Sequence, residues 1–464
     1  MRLIFVHGWG VTSTSTYGNL PQALARHADS YGLDIDVQHI MLGQYISFHD
    51  EITMDDVVIA FDAALNQLDD GKIKEFSCVT HSTGGPVVRQ WVEQFYGADQ
   101  LDKLPLKHLV MLAPANHGSP LAVLGKQRVG RIKAWFGGVE PGQKILDWLS
   151  LGSKQQWWLN EQFLDYDCAS QGFYPFVLAG QGTDRKLYDF LNNYLVEPGS
   201  DGVVRVAGAN LNSRFFLLQQ SDKLLKNGKK KIWQLTSDRH HPVRSNSGLA
   251  MAVLSSHSHS GRRMGIMAKQ ANSSITHEIL ACLNVSHHHD YNLRVSEMEQ
   301  LTHKEQDKVP KGRREKISRY AMLVFRVRDQ FDAIISYGDY DLYLLAGSGY
   351  SPNQLPKGFF MDRQMNESSH SLVYYLDCEK MYEIKDGKFG VRIVARPELG
   401  FSGYQPGEYQ SDGLAIEEVL VPNQTTYIDI VIHRKVDRKV FEVTPKTTKA
   451  RSFKRAKPTG ELIN

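Results

Sequence analysis

Through the first 285 residues, short β-branched and aliphatic runs alternate with segments of helical periodicity, the pattern of a largely parallel sheet flanked by helices. Residues 3–6 and 35–41 read as strands. Between Met54 and Leu68 the apolar positions Val57, Val58, Phe61, Ala64, Leu65 and Leu68 share one helical face. A strand over 76–80, a glycine turn and a helix from about 86 to 96 come next. Further strands are expected at 109–113, 176–179 and 232–235, with a closing helix near 275–283. Residues 1–285 therefore read as one α/β unit.

Two stretches depart from this rhythm. From about 120 to 165 an insertion carries Trp135, Phe136, Trp148, Trp157 and Trp158. Aromatic rings suit either a lipid interface or a helical subdomain packed on the sheet, and the pattern favours neither. Residues 286–318 are polar, include His287-His288-His289, lack apolar periodicity and read as a linker. From 319 to 464, runs at 320–328, 333–336, 342–345, 371–376, 390–394 and 427–432 are separated by Gly, Pro, Asn and Asp turns, and an all-β sandwich is expected. The tail from Arg434 to Lys457 holds ten Lys and Arg against Asp437 and Glu442, a charge suited to solvent or to anionic headgroups.

Composition narrows the function. The chain has 464 residues, enough for two or three domains, and its 42% hydrophobic and 23% charged content is that of a folded globular protein. A net charge of +3 is too even for a protein organised around a nucleic-acid backbone, so no nucleic-acid partner is expected. Cys78, Cys168, Cys282 and Cys378 are widely spaced, form no CxxC pair and read as buried thiols. Adjacent histidines at 287–289 point in different directions on most backbones, so no metal site is expected there. The first residues run straight into a glycine turn, as a strand does and a signal segment does not, and no apolar run is long enough to span a bilayer.

Chemistry gathers in four short segments. Thr80-His81-Ser82-Thr83-Gly84-Gly85 lies between a strand and a helix, where a serine on a tight turn projects its hydroxyl from the sheet edge; Ser82 is the candidate nucleophile. Thr80 stands where the usual motif has glycine, and a helix-capping serine is the competing reading. His7-Gly8-Trp9-Gly10 follows the first strand and can present a backbone N–H to an oxyanion, which makes Trp9 and Thr83 the candidate donors. Asp201, in Pro198-Gly199-Ser200-Asp201-Gly202, sits where the chain order Ser, Asp, His requires the acid. Ser256-His257-Ser258-His259-Ser260 supplies the base. His259 is preferred, but chain order does not separate it from His257, and His240 and His241 are also near.

Taken together, Thr80-His81-Ser82-Thr83-Gly84-Gly85, Ser200-Asp201-Gly202-Val203-Val204-Arg205 and His259-Ser260-Gly261 with Gly265-Ile266 resemble the three boxes of the PlaB-type phospholipases A/lysophospholipases A of Gram-negative bacteria. The resemblance implies an α/β-hydrolase domain with Ser82, Asp201 and His259 as nucleophile, acid and base. It also implies cleavage of phospholipid and lysophospholipid esters, peripheral association with the outer membrane or cell surface, to which a cytoplasmic location is the alternative, and homo-oligomers. Serine chemistry of this kind requires no metal or organic cofactor. A triacylglycerol lipase, a soluble carboxylesterase and a catalytically inert lipid or partner binder are the alternatives, and the last of these predicts a broken triad.

Overall fold

The computed structural model describes residues 1–7, 14–42, 51–125, 142–182, 197–227, 230–237, 243–246, 248–309, 318–396, 402–411 and 416–436. Strands β1 (Arg2–His7), β2 (Asp36–Met41), β3 (Phe76–His81), β4 (Leu106–Leu112), β5 (Tyr174–Gly180) and β9 (Ala250–Leu254) form a parallel sheet in the order β2-β1-β3-β4-β5-β9. Its central strands are buried on both faces, which is why they read as unbroken apolar runs rather than alternating ones. Helix α2 (Met54–Leu68) starts from a reciprocal cap in which Thr53 Oγ1 accepts from the Asp56 N–H and the Asp56 carboxylate accepts from the Thr53 N–H. With α3 (Gly84–Phe95) it covers one face, where Phe61 and Trp91 meet edge to face at 5.5 Å. Helix α1 (Leu20–His27) and the helix Ser273–Leu283 cover the other.

Two expectations are corrected here. The polar stretch read as a linker contains the helix His288–Gln306, which belongs to the first sheet. Few of its residues are buried, so its apolar pattern is faint, but Tyr291 anchors it: the hydroxyl donates to the Pro175 carbonyl of β5 and accepts from the Ala250 N–H of β9. The strand expected at 232–235 does not join the parallel sheet. Its place before the histidine box is taken by β9, the short apolar run Ala-Met-Ala-Val-Leu, each residue of which is fully or nearly fully buried.

The displaced strand belongs to a second sheet. Strands β6 (Ser213–Asn227), β7 (Lys230–Thr236) and β8 (Arg244–Asn246) from the first part combine with β10 (Tyr320–Asp329), β11 (Tyr340–Ala346), β12 (Phe360–Met365), β13 (Leu372–Asp377), β14 (Phe389–Ala395), β16 (Gly407–Gln410) and β17 (Thr425–Ile432). These strands make one continuous mixed sheet in the order β11-β14-β16-β7-β6-β17-β10-β13-β12, with β8 beside β6. A sandwich of two sheets was expected from the short alternating runs. Parallel pairing of β6 with β17 and of β7 with β16 instead joins the two parts of the chain edge to edge. Residues 333–336 make a single bridge, Arg328 to Ile334, and no strand. Strands β15 (Ser402–Tyr404) and β18 (Arg434–Val436) form a separate pair, and the basic tail beyond 436 lies outside the described residues.

The tryptophan-rich insertion bridges the two sheets. Trp157, on the helix Lys154–Gln162, is 3% exposed, packs edge-on against Tyr427 at 4.8 Å and Phe215 at 6.0 Å, and carries the Arg326 guanidinium over its ring at 4.3 Å. Trp148 is buried as well, Trp158 is exposed, and Trp135 and Phe136 lie outside the described residues. The two buried rings thus face protein rather than lipid. Trp157→Ala is expected to lower the unfolding free energy by about 3–5 kcal/mol in urea titrations, and Trp158→Ala to stay within about 0.5 kcal/mol of the parent.

Candidate active site

The strand order reverses at β1, which has β2 on one side and β3 on the other, so a crevice opens beyond the carboxyl ends of β1 and β3. Ser82 follows β3 directly. Two residues separate β3 from α3, and the turn is tight enough to force Ser82 to a φ of 55°, the left-handed region that a side chain occupies at a cost. Backbone bonds hold it there: the Ser82 N–H donates to the Leu112 carbonyl at 3.0 Å, and the Ser82 carbonyl accepts from the Ala115 N–H at 3.3 Å. Gly85 allows α3 to start this close to β4, since a Cβ there would lie 2.9 Å from Pro114 Cβ and 3.1 Å from Met111 Sδ. The helix N-cap is Thr83, not Ser82, and Thr83 makes no side-chain cap. The capping reading of the serine is therefore excluded.

The three boxes meet at this turn. His259 Nε2 lies 2.9 Å from Ser82 Oγ, and His259 Nδ1 lies 2.9 Å from Asp201 Oδ2. An ionised carboxylate accepts and does not donate, so Nδ1 carries the ring proton of a neutral imidazole and Nε2 is left to accept from the serine hydroxyl. The other carboxylate oxygen is held by the loop itself: Asp201 Oδ1 accepts from the N–H groups of Val203 at 2.9 Å and Val204 at 2.8 Å. Main chain ties the two loops as well, with the His259 N–H donating to the Asp201 carbonyl at 3.1 Å. Ser82, Asp201 and His259 are 7%, 1% and 5% exposed, so these bonds form largely out of water.

His257, the alternative base, is not in this chain of bonds. Its Nδ1 faces Ser256 Oγ at 3.5 Å, and its Nε2 is buried without a hydrogen-bond partner among the described residues. The Thr83 N–H opens α3, at the end where backbone donors lack intrahelical acceptors, as an oxyanion donor must. Trp9, the other expected donor, lies outside the described residues, as do His240 and His241. The four cysteines are buried free thiols.

Residues the sequence reading passed over support the site. His81 Nε2 donates to the His259 carbonyl at 2.8 Å, and the two rings lie 4.8 Å apart. Behind the acid loop, Arg205 bonds Glu197 through Nε at 2.8 Å and Nη2 at 2.6 Å, and also bonds Asp362 of the second sheet. An arginine inside the acid box, eight positions after a glutamate, was the available signal for this clamp; its partner Asp362 carries none.

Two structures of phospholipase PlaB from Legionella pneumophila, one in complex with thio-NAD, match this chain at 40% identity and a TM-score of 0.84, covering 100% of both chains. The chain belongs to the PlaB phospholipase family. Its parallel sheet is accordingly an α/β-hydrolase sheet, and the second sheet is shared with that family over the full length. The lipase BlEst2 from Bacillus licheniformis, in mature form, matches at 16% identity and a TM-score of 0.38 over 60% of this chain and 91% of that one. No family model and no curated protein matched.

Four histidines in and around the PlaB-type core are held neutral. His81 and His117 are pushed down to about 3, and His108 and His257 to about 4, in each case chiefly by burial. The unfolded chain, with ordinary values near 6.5, takes up these protons first. The stability tied to the neutral rings is complete above about pH 6.5 and is lost as the pH falls toward the folded-state values. The urea midpoint is therefore expected to drop between pH 7 and pH 5, and to drop less steeply in His108→Gln, as followed by tryptophan fluorescence.

Proposed function

We propose that the protein is a serine ester hydrolase that cleaves fatty-acyl esters of phospholipids and lysophospholipids. The observation that carries this reading is the continuous chain of hydrogen bonds from Asp201 through His259 to Ser82. In the first half-reaction Ser82 Oγ attacks the acyl carbonyl as its proton passes to His259 Nε2. Asp201 keeps the ring oriented and stabilises the imidazolium. The Thr83 N–H, with Trp9 as the expected second donor, stabilises the oxyanion. Collapse transfers the Nε2 proton to the departing alcohol of the lysolipid or glycerol phosphodiester and leaves an acyl-serine. Water then repeats the sequence on the acyl-enzyme and releases the fatty acid, with no metal or organic cofactor in any step.

The phospholipid substrate is supported by family membership, because the 40% identical relative is a phospholipase. Among the described residues no helix is long and apolar enough to cross a membrane. We take membrane contact to be peripheral, at the outer membrane or cell surface, and the protein to act as a homo-oligomer, as the family resemblance implies.

Fatty-acid release from phospholipid and lysophospholipid vesicles is the test. Ser82→Ala is expected to reduce kcat at least about 10³-fold, and Asp201→Asn by about 10³–10⁴-fold, with folding retained in both. Full release by folded Ser82→Ala would refute the mechanism. Turnover of soluble short-chain esters with none of lipid would replace the phospholipase with a carboxylesterase.

A further inference from the structure

We infer that Tyr375, a residue of the second sheet, is a positioning residue for Asp201: from across the boundary between the sheets it holds the acid loop in the shape that aims the carboxylate at His259. The inference rests on the triad reading above.

The loop from Glu197 to Val206 is almost closed on itself. Arg205 bonds Glu197 at its mouth, the Val206 N–H donates to the Gly199 carbonyl at 2.9 Å, and the Asp201 N–H donates to the Val204 carbonyl at 3.1 Å. Asp201 Oδ1 is occupied by the N–H groups of Val203 and Val204. The aim of Oδ2 therefore follows the backbone of this loop as one body, and whatever fixes Pro198 and Gly199 fixes Asp201.

Tyr375 does so in three ways. Its hydroxyl shares its proton between the carbonyls of Pro198 at 3.0 Å and Gly199 at 3.1 Å. Burial, reinforced by Glu197, holds this phenol well above its ordinary value, so it stays a donor at any working pH. Its ring lies under the Arg205 guanidinium at 4.2 Å and stacks on Tyr320 at 5.1 Å, while Arg205 continues to Asp362 on the neighbouring strand β12. The fit leaves no slack: Gly199 has a φ of 75°, and a Cβ there would lie 2.3 Å from both Tyr320 Cδ2 and the Tyr375 hydroxyl oxygen. The hydroxyl bonds end on the acid loop, so Tyr375 acts on the reaction through that loop, the proposed route being the Asp201 carboxylate and the alternative the backbone bond from the His259 N–H to the Asp201 carbonyl.

That route is read by a double-mutant cycle on the full-length protein, with p-nitrophenyl butyrate as the probe ester. Tyr375→Phe keeps the ring and removes the two bonds; kcat is expected to fall roughly ten- to a hundredfold, with KM held within about twofold and the thermal melt still cooperative. In the Asp201→Asn background the same change is expected to add no more than about a twofold loss, because the route it acts through is already cut. A wild-type kcat in Tyr375→Phe, or an undiminished loss in the Asp201→Asn background, overturns the inference while leaving the triad standing. Unchanged activity in Ser82→Ala or Asp201→Asn takes down both. Should Tyr375→Phe fail to fold, Asp362→Asn, at a side chain 32% exposed, enters the same cycle with the same criterion and a smaller expected loss.

Discussion

A carboxylate that is 1% exposed must find every hydrogen bond it needs within the protein, and the fold around Asp201 is arranged to supply them. Two backbone N–H groups of its own loop satisfy one oxygen, and the base satisfies the other. That division fixes the tautomer of His259, and the tautomer decides whether Ser82 meets an acceptor or a donor. The strain at Ser82, the close start of α3 at Gly85 and the histidine loop tied to Asp201 by its backbone all bring donors and acceptors to this buried charge. Water could provide the same bonds, but it would solvate the carboxylate and weaken its hold on the imidazole.

Much of the first sheet was legible because its physics is local. Parallel strands buried on both faces are continuous apolar runs, and α2 announces itself through its apolar spacing. The serine box was legible for a related reason: a two-residue turn with Ser82 at positive φ, under a helix packed on β4, leaves little room for a side chain at Gly85. What stayed hidden depended on partners far away in sequence. No local pattern separates His259 from His257, because the choice is made by Asp201 some sixty residues earlier. The helix His288–Gln306 looked like a linker because few of its side chains are buried. Strand β7 looked like part of the parallel sheet because an apolar run does not state which sheet it will join.

The same long-range pairing explains how the second half bears on the chemistry of the first. Leu151 and Trp157 from the insertion, Ala207 and Phe215 from beyond the acid loop, and Tyr320, Met322, Val324, Val373, Tyr375 and Tyr427 from the second sheet form one apolar cluster. Hydrogen bonds at its edge run from Asn366 to the Leu151 carbonyl and from Ser369 to the Gly152 carbonyl. A hydrolase sheet that lost this neighbour would keep Ser82 on its strand, but the loop carrying its acid would face solvent.

The weave of the second sheet also sets an order of events during synthesis. β6 and β7 can pair with each other as soon as they emerge, but their outer edges wait for β17 and β16, about two hundred residues later. A half-made hairpin with bare edges is a template for pairing with a neighbouring chain. The lysines that crowd its far end, among them the exposed Lys223 and Lys231, carry like charges on every copy. Like charge at the far end of this hairpin therefore opposes edge-to-edge pairing of two copies before β16 and β17 close the sheet.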